Sequence, residues 1–145
     1  MPAWVQSGVD DYARRLKGAF RFELLELAAG RRGAGTATAR ALADESQRLL
    51  ATLAQDEHVV ALDERGGQKS TRELAQWLGR CMQQGRDVAL LIGGPDGLAA
   101  PVLTRATERW SLSQLTLPHA MVRVIVAEQL YRAHTLLINH PYHRE

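Results

Sequence analysis

The sequence has only one cysteine among its 145 residues. Cys81 therefore has no partner within the chain, which excludes internal disulfide bonds as a source of stability. It follows Leu74 and Leu78 at helical spacing, so we expect it to pack inside the protein. No activating cluster adjoins it in the sequence, which argues against a redox or nucleophilic role.

Long apolar runs are also missing. The longest uncharged apolar runs are well short of the roughly 18 to 20 residues that a membrane-spanning helix needs. The first residues show no charged and then apolar signal pattern. We therefore expect a soluble, cytoplasmic protein that does not bind a membrane. The length fits a single domain, 1–145, and the hydrophobic share of 46% is enough to bury a core.

Neither sign of charge dominates, since the formal net charge is +2. Basic residues nevertheless cluster locally, at Arg14, Arg15 and Lys17, at Arg31 and Arg32, and at Arg132 and Arg144. Such clusters permit a nucleic-acid partner without requiring one, because solvated basic faces are common on proteins that bind no nucleic acid. Charge alone therefore leaves RNA or DNA binding open.

The hydrophobic pattern predicts helices and strands in turn. It predicts helices over 3–17, 36–53, 70–81 and 120–137, and strands over 20–27, 58–62 and 87–92. Ser70 followed by Glu73 is typical of a capping box at a helix start. The glycine- and arginine-rich stretch 28–35 matches no phosphate-loop pattern and is predicted to be a surface loop. The alternation predicts an α/β domain with a mostly parallel sheet, whose ligands bind at the carboxyl ends of the strands.

The predicted helix over 120–137 is apolar on nearly every side. Such a helix is buried on several faces, either inside its own fold or against a second chain. Its polar residues are Arg123, Glu128, Gln129 and Arg132. A lone charge is costly in such surroundings, so each of them needs a partner or a task. For Glu128 and Arg132, the simplest partner is the other member of the pair, four residues away on the same helix.

A glycine-rich turn, Gly-Gly-Pro-Asp-Gly (93–97), directly follows the predicted strand over 87–92. Its glycines let the backbone turn tightly and approach a ligand closely. A plain strand-to-helix turn and a nucleotide-like ligand site both fit this pattern. The spacing differs from the dinucleotide fingerprint Gly-x-Gly-x-x-Gly, so we do not predict a Rossmann site.

The C-terminal residues, Asn-His-Pro-Tyr-His-Arg-Glu (139–145), are unusually aromatic and basic for a chain end. We expect this tail to dock on the rest of the protein instead of fraying. His119, His134, His140 and His143 raise the question of a metal site. No cysteine lies nearby and the spacing is not that of two ligands on a helix, so we predict no metal site.

The chain resembles a known family across nearly its whole length. The resemblance rests on Leu-Leu-Ile-Gly-Gly-Pro-Asp-Gly-Leu (90–98), Trp-Ser-Leu-Ser-Gln-Leu-Thr-Leu-Pro-His (110–119), Val-Arg-Val with Ala-Glu-Gln-Leu-Tyr-Arg-Ala (122–133), and the tail (139–145). Together these stretches are similar to the small SPOUT-superfamily methyltransferases. Members of that family modify N3 of a pseudouridine in bacterial large-subunit ribosomal RNA.

The resemblance implies an α/β fold, with a mostly parallel sheet flanked by helices and a C-terminal trefoil knot, a rare exception to unknotted topology. It implies S-adenosyl-L-methionine as the cofactor, bent among three loops that form the knot. The implied cofactor-binding residues are Leu62, Gly93, Leu112, Ser113, Gln114, Leu115, Thr116 and Leu117. It further implies a homodimer in which the C-terminal tail of one subunit completes the site of the other. The implied partner is the 23S large-subunit RNA within the ribosome, and not DNA.

Methyl transfer to an imide nitrogen needs alignment of the nitrogen with the methyl carbon and removal of the N3 proton. We expect His143 or Glu128 to assist deprotonation. Arg132 would stabilise the developing negative charge or bind phosphate, and Tyr142 would stack on the target base or hydrogen-bond to it. Two other function classes remain open: a non-catalytic RNA- or ribosome-binding protein, and a metal-dependent hydrolase that uses the histidines.

The resemblance also has a gap at its start. Family members have a short apolar strand and a Gly-Lys turn ahead of the helix that begins here with Met-Pro-Ala-Trp. In the related fold this strand lies inside the sheet, so its absence leaves two neighbours with unpaired backbone groups. We therefore expect the 145-residue form to be less stable than one extended upstream.

Overall fold

The computed structural model describes residues 1–28, 30, 38–94 and 96–143. The helices are α1 (Ala3–Arg15), α2 (Thr38–Ala51), α3 (Thr71–Gln84), α4 (Ala100–Arg105) and α5 (His119–Leu137), and the strands are β1 (His58–Gln68), β2 (Val88–Ile92) and β3 (Glu108–Ser111). A short 3₁₀ helix, Pro141–His143, follows α5. The chain divides into two compact units. The first unit comprises Met1–Leu24, Lys69–Arg86 and Leu117–Glu145, and the second comprises Leu25–Gln68 and Asp87–Thr116.

The second unit is built on a three-stranded sheet in the order β2-β1-β3, and both pairings are parallel. The parallel sheet predicted from the sequence is therefore confirmed. Its core includes Val59, Leu91 and Val102, with side chains of α2 packed against them. Val60, the next residue along β1, is also fully buried, although it points to the opposite face of the sheet. β1 is thus covered on both faces, as is usual for the central strand of a parallel sheet.

The first unit is helical. α1 and α5 lie close together, because a Cβ added at Gly8 of α1 would be 3.4 Å from the Val124 side chain of α5. α3 also packs on α5, where Gly79 faces Leu137. No helix in the described part of the chain is both long enough and apolar enough to cross a membrane.

Two local signals fix the ends of helices in the first unit. The predicted capping box is confirmed, since the Ser70 hydroxyl accepts from the Glu73 N–H and the Glu73 carboxylate accepts from the Ser70 N–H. At the end of α5, Asn139 adopts a left-handed conformation with φ 57°. The N–H of His140 then donates to the Thr135 carbonyl at 2.8 Å, which is the pattern of a Schellman motif. This motif turns the tail back toward α5.

Several predictions from the sequence need correction. The predicted strand over 20–27 is wrong, because residues 20–28 have no regular secondary structure. Its alternation was suggestive, but a strand also needs a hydrogen-bonded neighbour, and no strand of the described residues pairs with it. β1 is longer than predicted, and α4 and β3 were not predicted. Cys81 is only partly buried. The predicted loop 28–35 falls largely outside the described residues.

Candidate cofactor and catalytic sites

The three segments predicted to bind the cofactor lie at matching levels of three adjacent strands: Leu62 within β1, Gly93 directly after β2 and Leu112 directly after β3. Leu62 of β1 is in register with Ile92 of β2 and with Trp110 of β3. Gly93 comes directly after Ile92, and Leu112 comes two residues after Trp110. Neighbouring strands lie about 4.8 Å apart, so these three positions, level with the carboxyl ends of β2 and β3, span about 10 Å across the sheet. The carboxyl edge of a parallel sheet is where such folds bind ligands.

The glycine turn after β2 is held in a shape that excludes a side chain. A Cβ at Gly93 would lie 2.6 Å from the carbonyl carbon of Gly97 and 2.7 Å from its oxygen. The N–H of Gly97 donates to the Gly94 carbonyl at 3.0 Å, and Gly97 itself has φ +75°. Gly93 is therefore required by close backbone approach.

The loop after β3 is shaped by two serines and presents apolar side chains. The buried Ser111 hydroxyl donates to the Ser113 carbonyl at 2.9 Å, and the Leu115 N–H donates to the Ser113 hydroxyl at 2.9 Å. Leu112 and Leu115 are exposed, Leu115 to 74%. Gln114 and Thr116 are exposed as well. Large apolar side chains on an uncharged loop suit the packing of a flat, mostly apolar ligand group.

A bulge in β1 adjoins this edge. Leu62 and Gly67 both pair with Trp110, so the register shifts between them. A Cβ at Gly66 would lie 2.6 Å from backbone atoms of Arg109 and Trp110, which requires glycine there. The bulge was not predicted, because the predicted strand ended at Leu62.

Three of the catalytic candidates, Glu128, Arg132 and Tyr142, form one hydrogen-bonded cluster in the first unit. Oε2 of Glu128 accepts from the Tyr142 hydroxyl at 2.7 Å. It also accepts from Nε of Arg132 at 3.0 Å and forms an ion pair with Nη2 of Arg132 at 2.8 Å. Oε1 accepts from the Gln129 amide at 2.8 Å, and the Gln129 oxygen accepts from the Thr71 hydroxyl. Both oxygens of Glu128 are therefore occupied by donors.

Three tyrosines from α1, α5 and the 3₁₀ helix pack together, and we call Tyr12, Tyr131 and Tyr142 the tyrosine cluster. The Tyr131 and Tyr142 rings meet edge to face with centroids 4.6 Å apart, and those of Tyr12 and Tyr131 are 6.1 Å apart. The hydroxyl oxygens of Tyr12 and Tyr142 lie 3.2 Å apart. Arg132 lies over the Tyr142 ring, 5.0 Å from its centroid. The predicted docking of the tail is thus confirmed at Tyr142.

The surroundings of Tyr142 and Arg132 determine the protonation states of these two side chains. Burial, followed by the hydrogen bonds with Tyr12 and Glu128, raises the pKa of Tyr142 well above the ordinary value of a phenol. The hydrogen bond to Glu128 raises the pKa of Arg132 further. Tyr142 is therefore a neutral hydrogen-bond donor at physiological pH, and Arg132 is a cation.

The structure brings the predicted residues together in two groups. Leu62, Gly93 and 112–116 belong to the second unit, whereas Leu117, Glu128, Arg132 and Tyr142 belong to the first. His143 lies in the 3₁₀ helix, but its side chain is outside the described part of the structure. Among the described residues, no group of three or more His, Cys, Asp or Glu side chains is arranged to hold a metal ion.

Sequence reasoning missed four residues near these groups. Tyr12, Tyr131 and Arg15 were not singled out as parts of a site. Glu45 was not singled out either, although its carboxylate accepts from the Gly30 N–H at 2.8 Å and would lie 3.6 Å from a Cβ at Gly94. The one usable signal was the repeated pairing of tyrosine with arginine, in α1 and again in α5.

Comparisons with known proteins agree on one family. A family model described as "Predicted SPOUT methyltransferase" matches residues 1–143. A protein of Methylococcus capsulatus named "Ribosomal RNA large subunit methyltransferase H" is 56% identical over 144 residues, covering 99% of this chain and 93% of the relative. Proteins of the same name from Chromohalobacter salexigens and Alkalilimnicola ehrlichii are 53% and 54% identical over 144 residues, and cover 93% and 92% of those relatives.

Proposed function

The chain belongs to the SPOUT methyltransferase family, and we propose that it methylates N3 of a pseudouridine in 23S large-subunit ribosomal RNA. Membership in this family implies a methyl donor of the S-adenosylmethionine type. The proposal extends the activity named for its relatives to this chain. We also propose that residues 1–145 act as one methyltransferase domain, in the cytoplasm and on the RNA within the ribosome.

The observation that carries the proposal is the register of the sheet. Leu62 is paired with Ile92 and with Trp110, so the segments that follow these positions meet at one carboxyl edge. Gly93 is free of a side chain there, and Leu112 and Leu115 present apolar surface. These residues fit S-adenosyl-L-methionine, whose adenine would be held by backbone groups and apolar packing. The trefoil knot implied for this family would be made by the same segments.

Bound at this edge, S-adenosyl-L-methionine supplies an electrophilic methyl group on a sulfonium. The protein has to orient the target nitrogen and remove its proton. Because Glu128 is saturated by the donors of Tyr142, Arg132 and Gln129, we assign it a positioning role and not that of the base. His143 is then the group proposed to take the proton.

Tyr142 and Arg132 are proposed to contact the RNA. Tyr142 is neutral and its ring is held by the tyrosine cluster, which suits stacking on the target base or hydrogen bonding to it. Arg132 is a permanent cation whose position is set by Glu128. It is placed to stabilise negative charge on the deprotonated base or to bind a phosphate.

We further propose a homodimer in which the tail of one subunit completes the cofactor site of the other. Large apolar side chains remain exposed at both ends of the helices of the first unit: Trp4 at 56%, Met121 at 44%, Leu137 at 43% and Ile138 at 57%. α5, apolar on nearly all sides, still has partly exposed residues within one chain. A second copy would bury this surface. Light scattering coupled to gel filtration tests the dimer directly.

Mass spectrometry of large-subunit ribosomal RNA tests the function. Nucleosides from cells with and without the gene are compared, and the deleted strain is complemented with this chain. We expect one methylated pseudouridine to disappear on deletion and to return on complementation. An unchanged nucleoside profile in the deleted strain would refute the proposed activity.

A further inference from the structure

The guanidinium group of Arg15, near the end of α1, lies against the tyrosine cluster. Its central carbon is 5.2 Å from the ring centroid of Tyr12, 5.6 Å from that of Tyr131 and 5.8 Å from that of Tyr142. All three distances are within the range of a cation–π contact. Such contacts fix the position of the guanidinium, while its N–H edges stay able to form hydrogen bonds.

The charge of Arg15 is only partly balanced. Its Nη2 lies 3.1 Å from Oδ2 of Asp11, but Oδ1 of the same carboxylate binds Nη2 of Arg14, also at 3.1 Å. One carboxylate therefore serves two guanidinium groups. Among the described residues, no other carboxylate forms an ion pair with Arg15. Its side chain is 42% exposed, so this charge is accessible from solvent.

Arg15 and Arg132 share the Tyr142 ring. The central carbon of Arg132 is 5.0 Å from the Tyr142 centroid, and its charge is matched by Glu128. Arg15 shares the Asp11 carboxylate with Arg14, and it lies against the residue proposed to receive the target base. The tyrosine rings orient it and Asp11 binds one of its nitrogens, so its remaining N–H groups suit an external anion. A guanidinium binds phosphate oxygens well in this way.

We propose that Arg15 binds a backbone phosphate of the RNA next to the target nucleotide, and so holds that nucleotide against Tyr142. The proposal rests on the proposed function, because it names a contact with the substrate of the same site. It adds a residue of α1 to the candidate RNA-binding surface of α5 and the tail. Arg15 acts in substrate binding and takes no part in removing the N3 proton.

The test compares Arg15→Gln with the matched control Arg14→Gln. Arg14 is the preceding residue on α1 and binds the same carboxylate, but it is 68% exposed, and the cation–π contacts found with the tyrosine rings from α1 in the described part of the chain are those of Arg15. Methylation is measured on ribosomal particles from cells that lack the gene, over a series of salt concentrations. We expect Arg15→Gln to raise KM about tenfold and to reduce the slope of log kcat/KM against log salt by about one, as expected for one lost phosphate contact. The control should change KM by no more than about twofold.

Further measurements separate substrate binding from support of the fold. Calorimetry should give the same affinity for S-adenosyl-L-methionine in the wild type and in Arg15→Gln. Arg15→Lys keeps the charge without the planar group, so its KM should lie between those of the wild type and Arg15→Gln. A lower melting temperature and kcat, with KM and the salt slope unchanged, would overturn the proposal in favour of a structural role. If Arg15→Gln does not fold, KM and the salt slope of Arg15→Lys decide between the two roles.

Failure of this inference is distinguishable from failure of the proposed function. If the wild type methylates the particles and the two glutamine variants behave alike, the role of Arg15 is refuted while the activity stands. If the wild type transfers no methyl group to particles that lack the modification, the proposed function itself fails, and the phosphate contact fails with it.

Discussion

Replacing Glu128 by Gln removes the charge at the centre of the cluster of α5 and the tail while keeping its volume. Glu128 accepts one hydrogen bond each from Arg132, Tyr142 and Gln129, and its carboxylate also forms an ion pair with Nη2 of Arg132. Hydrogen bonds to charged groups contribute about 1.5 to 3 kcal/mol each in favourable cases. The side chains of Glu128 and Arg132 are 19% and 29% exposed, so solvent screens the pair in part. We expect the free energy of unfolding to fall by about 2 kcal/mol.

For a chain of this size, a loss of about 2 kcal/mol lowers the melting temperature by about 4 to 8 °C. The fold should survive, because domains are typically stable by about 5 to 15 kcal/mol. Glu57→Gln is a matched control, since Glu57 accepts an exposed hydrogen bond from the Ala54 N–H and lies in the second unit. The control should shift the melting temperature by less than about 2 °C.

The kinetics of Glu128→Gln distinguish positioning from proton transfer. If Glu128 positions Arg132 and Tyr142, kcat should fall by about tenfold or more, while the affinity for S-adenosyl-L-methionine stays unchanged. The residual activity should keep the wild-type dependence on pH, because the group that takes the proton is still present. Loss of the acidic limb of the pH–rate profile would refute the reasoning and make Glu128 the base. Unchanged melting temperature and turnover would also refute it.

Three further changes test other parts of the account. The pKa of Tyr142 is raised in the fold, so its contribution to stability is present below about pH 10 and is lost as the pH rises above that value. In urea unfolding, the free energy of unfolding of Tyr142→Phe should therefore fall less between about pH 9 and 11 than that of the wild type. The pKa of Glu73 is lowered by its hydrogen bonds with Ser70, so its contribution to stability is present above about pH 4.3 and is lost as the pH falls below it. The difference in unfolding free energy between the wild type and Glu73→Gln should therefore become smaller as the pH falls through that region. Gly93→Ala should weaken cofactor binding, measured by calorimetry, by about tenfold or more, because its Cβ would meet backbone atoms of Gly97. The control Gly67→Ala, whose Cβ meets nothing within 4 Å, should bind the cofactor with wild-type affinity. Equal affinities of the two variants would contradict the role of the glycine turn.

The elements that the sequence predicted well are those with strong local signals. The start of α3 was predicted from the capping box at Ser70, which the structure confirms, whereas its end was predicted at Cys81 and lies at Gln84, before the left-handed Gly85. β2 is a compact apolar run bounded by Asp87 and Gly93. In each case neighbouring residues alone determine where the element begins and ends.

The elements that were missed depend on distant partners. β3 has only four residues, and its assignment comes from pairing with β1, far away in the sequence. Residues 20–27 show the opposite case: they have the alternating pattern of a strand, but no described strand pairs with them. Periodicity describes which faces of a segment are apolar, and it contains no information about which other segment supplies the hydrogen bonds.

The candidate site divides in the same way. The glycine turn at Gly93 was visible as a motif, and parallel strands made its position at the carboxyl edge predictable. The tyrosine cluster was not, because Tyr12, Tyr131 and Tyr142 come from α1, α5 and the tail. Saturation of Glu128 also depends on the Schellman turn at Asn139, which brings Tyr142 back to α5. Only the folded backbone places these groups together.

The most direct test of the cofactor site is a titration of the isotopically labelled protein with S-adenosyl-L-methionine, followed by amide chemical shifts. We expect saturable binding, with the largest shifts at Leu62, Gly93 and 112–116, which lie level with or just beyond the carboxyl ends of β2 and β3. Absence of saturable binding, or shifts concentrated away from this edge of the sheet, would contradict it.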